Sequence, residues 1–300
     1  MRSLLVQGSE PMRLRAWLAR EFPDAAPSVV DRALRQRDFR VNGSRVGQDV
    51  QLQHGDTVAV YIDDRLLLPH VETVWMDDDL IVAIKPQGVI SVGEGGMAER
   101  VSRWLAGLGE EATATACHRL DSATGGLLML ARNPATEAAV RTQMEAGRIQ
   151  KTYHCVVRGA PQPPQATATA WLLKDEARAQ VSVHDRPLPG GRTAVTEYRT
   201  LAVDGGCALL AVTLHTGRTH QIRAHLAHLG HPLLGDDKYG DRAFNRAQRA
   251  RRLMLWASAL RFGFSAEECP ALSALAGQTL HCRPPFLDDW NLPEENDDTR

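Results

Sequence analysis

No stretch of this 300-residue chain approaches the roughly 18 consecutive apolar residues that would mark a membrane-spanning helix. The N-terminus does not read as a secretory leader either: after Met1-Arg2-Ser3 the apolar run is only Leu4-Leu5-Val6, too short for a signal-peptide core. Cysteine is sparse. Cys117, Cys155, Cys207, Cys269 and Cys282 are odd in number, far apart, and form no CxxC pair. That speaks against a zinc knuckle and against a disulfide framework, and for reduced thiols in a cytoplasmic protein. Internal repeats and low-complexity tracts are absent as well. The formal net charge is only −1, which at first sight speaks against a nucleic-acid partner.

What is present changes that reading. Hydrophobic residues make up 43% and charged residues 24%, the composition of an ordinary folded protein, and the length suits about two domains. The charge is segregated along the chain. From Met12 to Val46 eight arginines face four acids, and from Lys238 to Arg252 six basic residues face Asp241 alone. The last stretch, from Leu287 to Arg300, carries six acids and one arginine, a composition that predicts a frayed end. Basic clusters are the electrostatic footprint of phosphate binding, although each could also be a solvated face without a partner.

The first module spans about residues 11–62. Leu14, Trp17, Leu18 and Phe22 recur at helical spacing, as do Val29, Val30, Ala33 and Leu34. Phe39-Arg40-Val41 then reads as a strand, with a turn at Asn42-Gly43 and another at Gly55-Asp56 leading into Thr57–Tyr61. A connector follows, about 63–72. Beyond it the expected strands are Val74–Met76, Leu80–Lys85, Leu127–Ala131, Thr152–Val157, Thr193–Val203 and Ala208–His215. Helices are expected over Ala98–Leu108, Pro134–Ala146 and Arg218–Leu229. Strands often follow one another without a helix between, so the fold class is α+β with a mainly antiparallel or mixed sheet. The predicted domains are 1–66 and 67–300.

Three stretches carry chemistry. In "ACHRLDSATGGLLMLARN", Ala116 to Asn133, Asp121 sits in a loop before an apolar strand, followed by Thr124 and two glycines that allow close backbone approach. It is either a turn aspartate paired to a nearby arginine or a reactive carboxylate. In "GRIQKTYHCVV", Lys151 and Tyr153 alternate with apolar positions on a strand, where a tyrosine packs in a core or at a rim. The third stretch, "TLHTGRTHQIRAHLAHLGHPLLGDDKYG", holds five histidines: His215, His220, His225, His228 and His231. It has no HExxH pattern, no cysteine partner and no acid within the histidine-rich part, so no metal site is expected. Arg218, His220 and Arg223 instead suit phosphate and base contacts at the start of a helix, where backbone N–H groups favour anions.

Taken together and in order, "HRLD-x-x-T-x-G", "KTY" and "G-R-x-H-Q-I-R-x-H…G-H-P-L-L-G-D-x-x-Y-G" closely resemble the RluA-type pseudouridine synthases. "DDDLIVAIKPQGVISV" (77–92) resembles that family's opening strand pair and KP-x-G turn, and the likeness runs from about 73 to 290. The first module resembles the alpha-L RNA-binding motif, through its "VNG" turn and the "GD-x-V" near its end. The resemblance implies a pseudouridine synthase fold with a central cleft, preceded by a small α+β RNA-binding domain. It implies conversion of specific uridines to pseudouridine in structured RNA, with large-subunit rRNA favoured and tRNA the alternative. Carried over by position, Asp121 would be the catalytic carboxylate, Tyr153 would pack against the uracil and assist proton removal from carbon 5, and Arg223 would pair with Asp121. Arg119 would fill the space left by an extruded base. His118, Lys151, Arg218, His220 and Gln221 are expected at the substrate, and Arg13, Arg15, Arg32, Arg35, Arg37 and Arg40 at RNA in the first module. No cofactor, no metal and no membrane are expected, and a monomer is.

This chain departs from that pattern in places. The family usually has serine where Gly125 stands, and commonly "LHA" where this chain reads Leu255-Trp256-Ala257. Many members carry His-Pro after the KP-x-G turn, and "GVISV" does not. A non-catalytic RNA-binding or ribosome-assembly factor on the same fold is the competing expectation, and a metal-dependent hydrolase built on the histidines a third. The joint presence of Asp121, Tyr153 and Arg223 favours the enzyme.

Overall fold

Alternating and unbroken apolar runs become strands, and in the computed structural model of the protein their pairing builds three sheets among the described residues. Residues 2–8, 10–63, 66–110, 113–176 and 179–290 are described, so most of the acidic tail lies outside the described residues. The chain divides into two compact units, Met1–Val71 with Arg100–Thr113, and Glu72–Glu99 with Ala114–Arg300. The sequence reading put the boundary at 66/67; by contacts, residues 67–71 and 100–113 group with the first unit.

The first unit contains β1 (Arg2–Leu5), β2 (Met12–Arg13), α1 (Leu14–Glu21), α2 (Pro27–Gln36), β3 (Phe39–Val41), β4 (Ser44–Val46), β5 (Gln51–Leu52) and β6 (Thr57–Val60). Four strands form a sheet in the order β1-β6-β3-β4, while β2 pairs with β5. The Asn42-Gly43 turn joins β3 to β4 with both residues at positive φ, 49° and 81°. That twist matches a two-residue hairpin. Pro27 stands in the first turn of α2, where its missing N–H costs nothing, and Arg37 ends the helix in the left-handed region. Leu14, Trp17, Leu18, Ala33, Leu34, Phe39, Val58 and Val60 close one core.

The second unit continues with β7 (Thr73–Met76), β8 (Leu80–Lys85), α3 (Met97–Gly107), β9 (Thr115–Ala116), β10 (Gly125–Ala131), α4 (Pro134–Glu145) and β11 (Ile149–Arg158). From residue 100 onward α3 groups with the first unit. After β11 come β12 (Gln165–Asp175), β13 (Gln180–His184), β14 (Arg192–Asp204), β15 (Cys207–Leu214), α5 (Gln221–His228), α6 (Arg242–Ala247), β16 (Leu255–Phe262) and β17 (Thr279–His281). The eleven-stranded sheet runs β13-β12-β14-β15-β11-β16-β10-β8-β7, with β17 on β16 and β9 on β10. Its described pairings are antiparallel except β10 with β16, which is parallel. The fold is thus α+β with a mixed sheet. Every residue of β10 is buried, as expected of a strand covered on both faces.

In the large sheet β9, β12, β13, β16 and β17 are absent from the sequence reading, as are the short β1, β2 and β5 of the first unit. "QATATA" in β12 offers small residues rather than an apolar alternation, and β16 mixes alanine and serine into its run, so neither has a clean period. The helix expected over Arg218–Leu229 starts later, at Gln221, because His220 takes a left-handed conformation (φ 53°) just before it. No helix among the described residues is long and apolar enough to cross a membrane.

Candidate active site

Asp121 lies in the loop between β9 and β10, and neighbouring chain fixes that loop on both sides of the carboxylate. Ser91 Oγ donates to the Leu120 carbonyl at 2.9 Å and accepts from the Leu120 N–H at 2.9 Å. On the other flank the Ser122 carbonyl accepts from Gly88 N (2.7 Å) and Lys85 Nζ (3.3 Å). Gln87 Nε2 then donates to the Ala123 carbonyl (2.9 Å) and to the Leu253 carbonyl (2.6 Å). Residues 120, 122 and 123 are therefore pinned by the turn after β8, while the Asp121 side chain stays partly open. Lys85 is fully buried, and its ammonium also donates to the Pro86 and Val89 carbonyls. Burial pushes its pKa down to about 8, and the charge of Asp121 opposes that shift.

Beneath the loop the chain approaches itself closely. Gly126 has φ 111°, and a Cβ there would stand 2.6 Å from Ala257 N, so only glycine fits. Gly125 is the register partner of Trp256 across the parallel pair. A Cβ at 125 would lie 2.6 Å from Cε3 and 2.8 Å from Cη2 of the Trp256 ring, and nearer still to Cζ3. The indole N–H donates to Cys282 Sγ at 3.1 Å. The two departures from the family pattern, at 125 and 256, thus occupy one space: the large ring fills what the missing side chain leaves.

A cleft of about 560 Å³ opens over Asp121, lined by β9 to β11, the end of β15 and the start of α5. His118, Arg119, Asp121, Lys151, Tyr153, Arg218, His220, Gln221 and Arg223 all line it, which brings together every expected catalytic and substrate residue. Their surroundings divide them. Arg223 is buried and its guanidinium fork is committed to Asp236, Nε to Oδ2 at 2.7 Å and Nη2 to Oδ1 at 2.7 Å, with Asp237 Oδ1 at 2.8 Å. Asp121 Oδ2 is farther, 3.7 Å from Nη1. Burial works against the Arg223 charge, but the Asp236 hydrogen bond and the charges of Asp236, Asp121 and Asp237 outweigh it and raise its pKa. A guanidinium held by three carboxylates is not a phosphate contact. It is a fixed positive charge beside Asp121.

His220 stands on the other side, Nε2 3.9 Å from Asp121 Oδ2. Its Nδ1 lies 2.8 Å from Tyr239 Oη, which itself accepts from Val181 N at 2.8 Å. Tyr239 thus ties the His220 ring through Nδ1 and leaves Nε2 facing Asp121. Burial lowers the His220 pKa, with the Asp121 charge pulling it back up. Tyr153 is buried opposite Val212 and Ala257. Burial first, and then the Asp121 charge, raise its pKa and keep the phenol protonated. Burial lowers the pKa of Lys151. Buried His118 accepts from Met129 N through Nε2 at 3.2 Å, and burial, aided by Lys151, pushes its pKa down to about 3.

Gln221 differs from its expected role. Its oxygen accepts from Thr216 Oγ1 (2.9 Å) and Arg218 N (3.0 Å), and its amide donates to Val195 O (3.1 Å) and Thr196 Oγ1 (3.0 Å). All four hydrogen-bonding positions are used within the protein, so Gln221 shapes the 216–218 turn and leaves nothing for a substrate. Arg218 is exposed, and its Nε donates to Thr193 O at 3.0 Å. Arg119 is exposed at the cleft. Lys85, Ser91, Asp236 and Tyr239 escaped the sequence reading. The available signals were a lysine ending the apolar run "LIVAIK" and an acid in "GDDKYG" that, once buried, needs a cation.

In the first unit Arg13, Arg15, Arg32, Arg35 and Arg37 are exposed and Arg40 is half-buried. Arg15 is paired with Asp31, Arg13 Nη1 donates to Asp49 O at 2.9 Å, and Arg40 lies 5.4 Å from the centre of the Tyr61 ring. Among the described residues no group of three or more His, Cys, Asp or Glu could hold a metal ion.

Residues 79–228 match the family model described as RNA pseudouridylate synthase. The chain is 30% identical over 288 residues to the ribosomal large subunit pseudouridine synthase C of Vibrio vulnificus (strain CMCP6), covering 89% of this chain and 90% of that protein. It is also 30% identical over 270 residues to the protein of that name from Escherichia coli (strain K12), covering 83% and 84%. Among solved structures, the human RNA pseudouridylate synthase domain containing 4 superimposes with a TM-score of 0.59 at 25% identity, covering 71% of this chain and 88% of that one. The human RNA pseudouridylate synthase domain containing 1 gives 0.55 at 25% identity, covering 75% and 97%.

Proposed function

Since the chain belongs to the RNA pseudouridylate synthase family and is an RNA pseudouridine synthase, we propose that it converts uridines of structured large-subunit ribosomal RNA to pseudouridine, with Asp121 as the carboxylate that engages the sugar. The observation that carries this reading is the Asp121 loop itself. A carboxylate is held by its neighbours on both sides, between the Arg223 charge and the His220 ring, and faces a cleft wide enough for a base. The relatives named for large-subunit ribosomal RNA favour that substrate.

The product is an isomer of the substrate, so nothing external need be consumed. The N-glycosidic bond breaks as the carboxylate attacks the anomeric carbon or stabilises its positive charge, as glycosidase carboxylates do. The detached uracil turns and carbon 5 bonds to the anomeric carbon, releasing the carboxylate; carbon 5 then loses its proton and N1 takes one up. The base must first leave its stack, at a cost of a few kcal/mol. Arg119, exposed at the cleft, would enter the vacated space. Tyr153 offers a ring for the uracil, worth about 1–3 kcal/mol if stacked. Its protonated state suits packing better than proton removal, which would need the phenolate that burial and Asp121 disfavour.

Asp121→Asn is expected to abolish modification while RNA binding survives. Pseudouridine mapping by carbodiimide adduct and primer extension, on RNA from a knockout strain complemented with either form, tests it. Sites restored by the asparagine form would sink the assignment. Sites lost from tRNA instead would redirect the substrate.

The first unit supplies a second contact to RNA through Arg32, Arg35 and Arg37. Neutralising the three with glutamine is expected to weaken RNA affinity and flatten its salt dependence. Unchanged binding would assign that unit another purpose.

A further inference from the structure

Beyond the cleft, the densest unbalanced charge on the second unit is the segment from Arg242 to Arg252. Arg242, Arg246, Arg249, Arg251 and Arg252 are all exposed. Among the described residues none of these five forms an ion pair, the segment itself contains no acid, and Asp241 just before it is engaged by Arg158. In a chain of net charge −1, five unneutralised guanidinium groups within eleven residues are not a by-product of a basic composition.

The segment is also held in place. Phe244, Ala250 and Met254 pack against the main core. Asn245 accepts from Gly235 N (3.0 Å) and donates to Asp236 O (3.1 Å), while Ala250 N donates to Asn245 O (2.9 Å). Arg249 turns the chain in a left-handed conformation, φ 54°. A mobile tail would lose freedom on meeting a ligand. This segment presents its charges from an ordered base, so less is lost.

Its anchors lead to the catalytic centre by two routes. Asp236, which Asn245 holds, carries the fork of Arg223, whose Nη1 is 3.7 Å from Asp121. Gln87 ties Leu253, immediately after the arginines, to Ala123 in the catalytic loop. The arginines therefore stand on chain joined directly to the frame of the cleft. An RNA whose target base enters the cleft must lead its backbone away across the surrounding surface. Guanidinium groups recognise phosphate oxygens in pairs, and a row of them suits a repeating phosphate rather than a single anion.

We propose that Arg242–Arg252 is a phosphate-tracking surface for the RNA backbone flanking the target uridine, separate from the arginines of the first unit. The proposal rests on the reading of the protein as a modifier of structured RNA. It predicts that affinity for the substrate depends on these side chains through their charge.

The test uses the full chain and unmodified large-subunit ribosomal RNA transcribed in vitro, with filter binding across a salt series. Wild type is compared with the triple variant Arg246→Gln/Arg249→Gln/Arg251→Gln and its lysine counterpart, both checked for an unchanged melting temperature. Each lost phosphate contact removes about 0.7–0.9 from the slope of log affinity against log salt, so the glutamine variant is expected to lose about 2–3. Its affinity should drop on the order of tenfold or more in low salt, and the lysine variant should retain most of both. A glutamine variant with wild-type affinity and slope, while wild type binds and modifies the RNA, overturns the proposal and leaves the functional reading standing. A wild type that neither binds nor modifies this RNA overturns the functional reading, and the proposal with it. Should the triple variant melt early, Arg242→Gln/Arg252→Gln gives the same comparison with a slope change of about 1.5.

Discussion

Placing serine at position 125, as the family pattern has it, forces a Cβ into space that the Trp256 indole fills. The new atom would lie 2.6 Å from Cε3, 2.8 Å from Cη2 and nearer still to Cζ3, and ordinary contact begins at 3.4 Å, so the ring must retreat by more than about 0.8 Å. It has little room to do so, being 8% exposed within the main core. Overpacking of this kind costs about 1–3 kcal/mol. Losing the indole hydrogen bond to Cys282 adds about 0.5–1.5 kcal/mol. Gly125→Ser should therefore destabilise by about 2–4 kcal/mol, and lower the melting temperature of a unit this size by roughly 5–12 °C. Turnover should fall as well, because Gly125 is four residues from Asp121 and begins the strand its loop leads into. Trp256→His alone leaves a cavity and costs about 2–4 kcal/mol. Together the two changes should relieve each other, with the double variant more stable than the sum of the singles by about 1 kcal/mol or more. Differential scanning fluorimetry on the four proteins, with single-turnover rates beside it, gives the coupling. A Gly125→Ser protein that melts with wild type would refute the reasoning, as would a cycle that is additive within about 0.5 kcal/mol.

Ser91→Ala removes both hydrogen bonds to the Leu120 backbone and leaves a buried donor and acceptor unpaired, at a cost of about 1–3 kcal/mol. Because that backbone carries Asp121, kcat should fall several-fold with KM little changed; equal kcat in wild type and variant would show that the loop does not need this clamp. The buried histidines should lower stability in acid. His225 has its pKa pushed down by burial to about 4 from an unfolded value near 6.5, so its contribution is complete above pH 6.5 and is lost as pH falls towards 4. At pH 5 the loss is about 2 kcal/mol, with His118 acting in the same direction. His225→Gln, which can keep the contact to Thr196 Oγ1, should flatten the decline of melting temperature between pH 7 and 5; an unchanged decline would assign it to other groups.

How much of this was legible in the chain depends on how far each feature reaches along it. Periodicity is local, and it disclosed α1, α2, α4, the all-apolar β10 and the Asn42-Gly43 hairpin within a residue or two. Ordered motifs are local too, and they supplied Asp121, Tyr153, Lys151 and Arg223, which the structure gathers around one cleft. What the sequence could not state was which partner each charged group would take. Arg223 satisfies Asp236 and Asp237 before Asp121, because burying a guanidinium requires a close carboxylate, and the helix start brings Asp236 nearest. Gln221 looks like a substrate ligand in a line of letters, yet its amide is wholly consumed by Thr216, Arg218, Val195 and Thr196. Lys85 reads as the polar end of a strand but is fully buried against the Asp121 loop. Gly125 and Trp256 appear as two unrelated departures, and only the parallel pairing of β10 with β16 shows that one makes room for the other. The sequence by itself determined which residues could do chemistry and in which kinds of element they lie. The tertiary structure decided which of them remain free to do it, because burial and pairing depend on neighbours that the chain order keeps far apart.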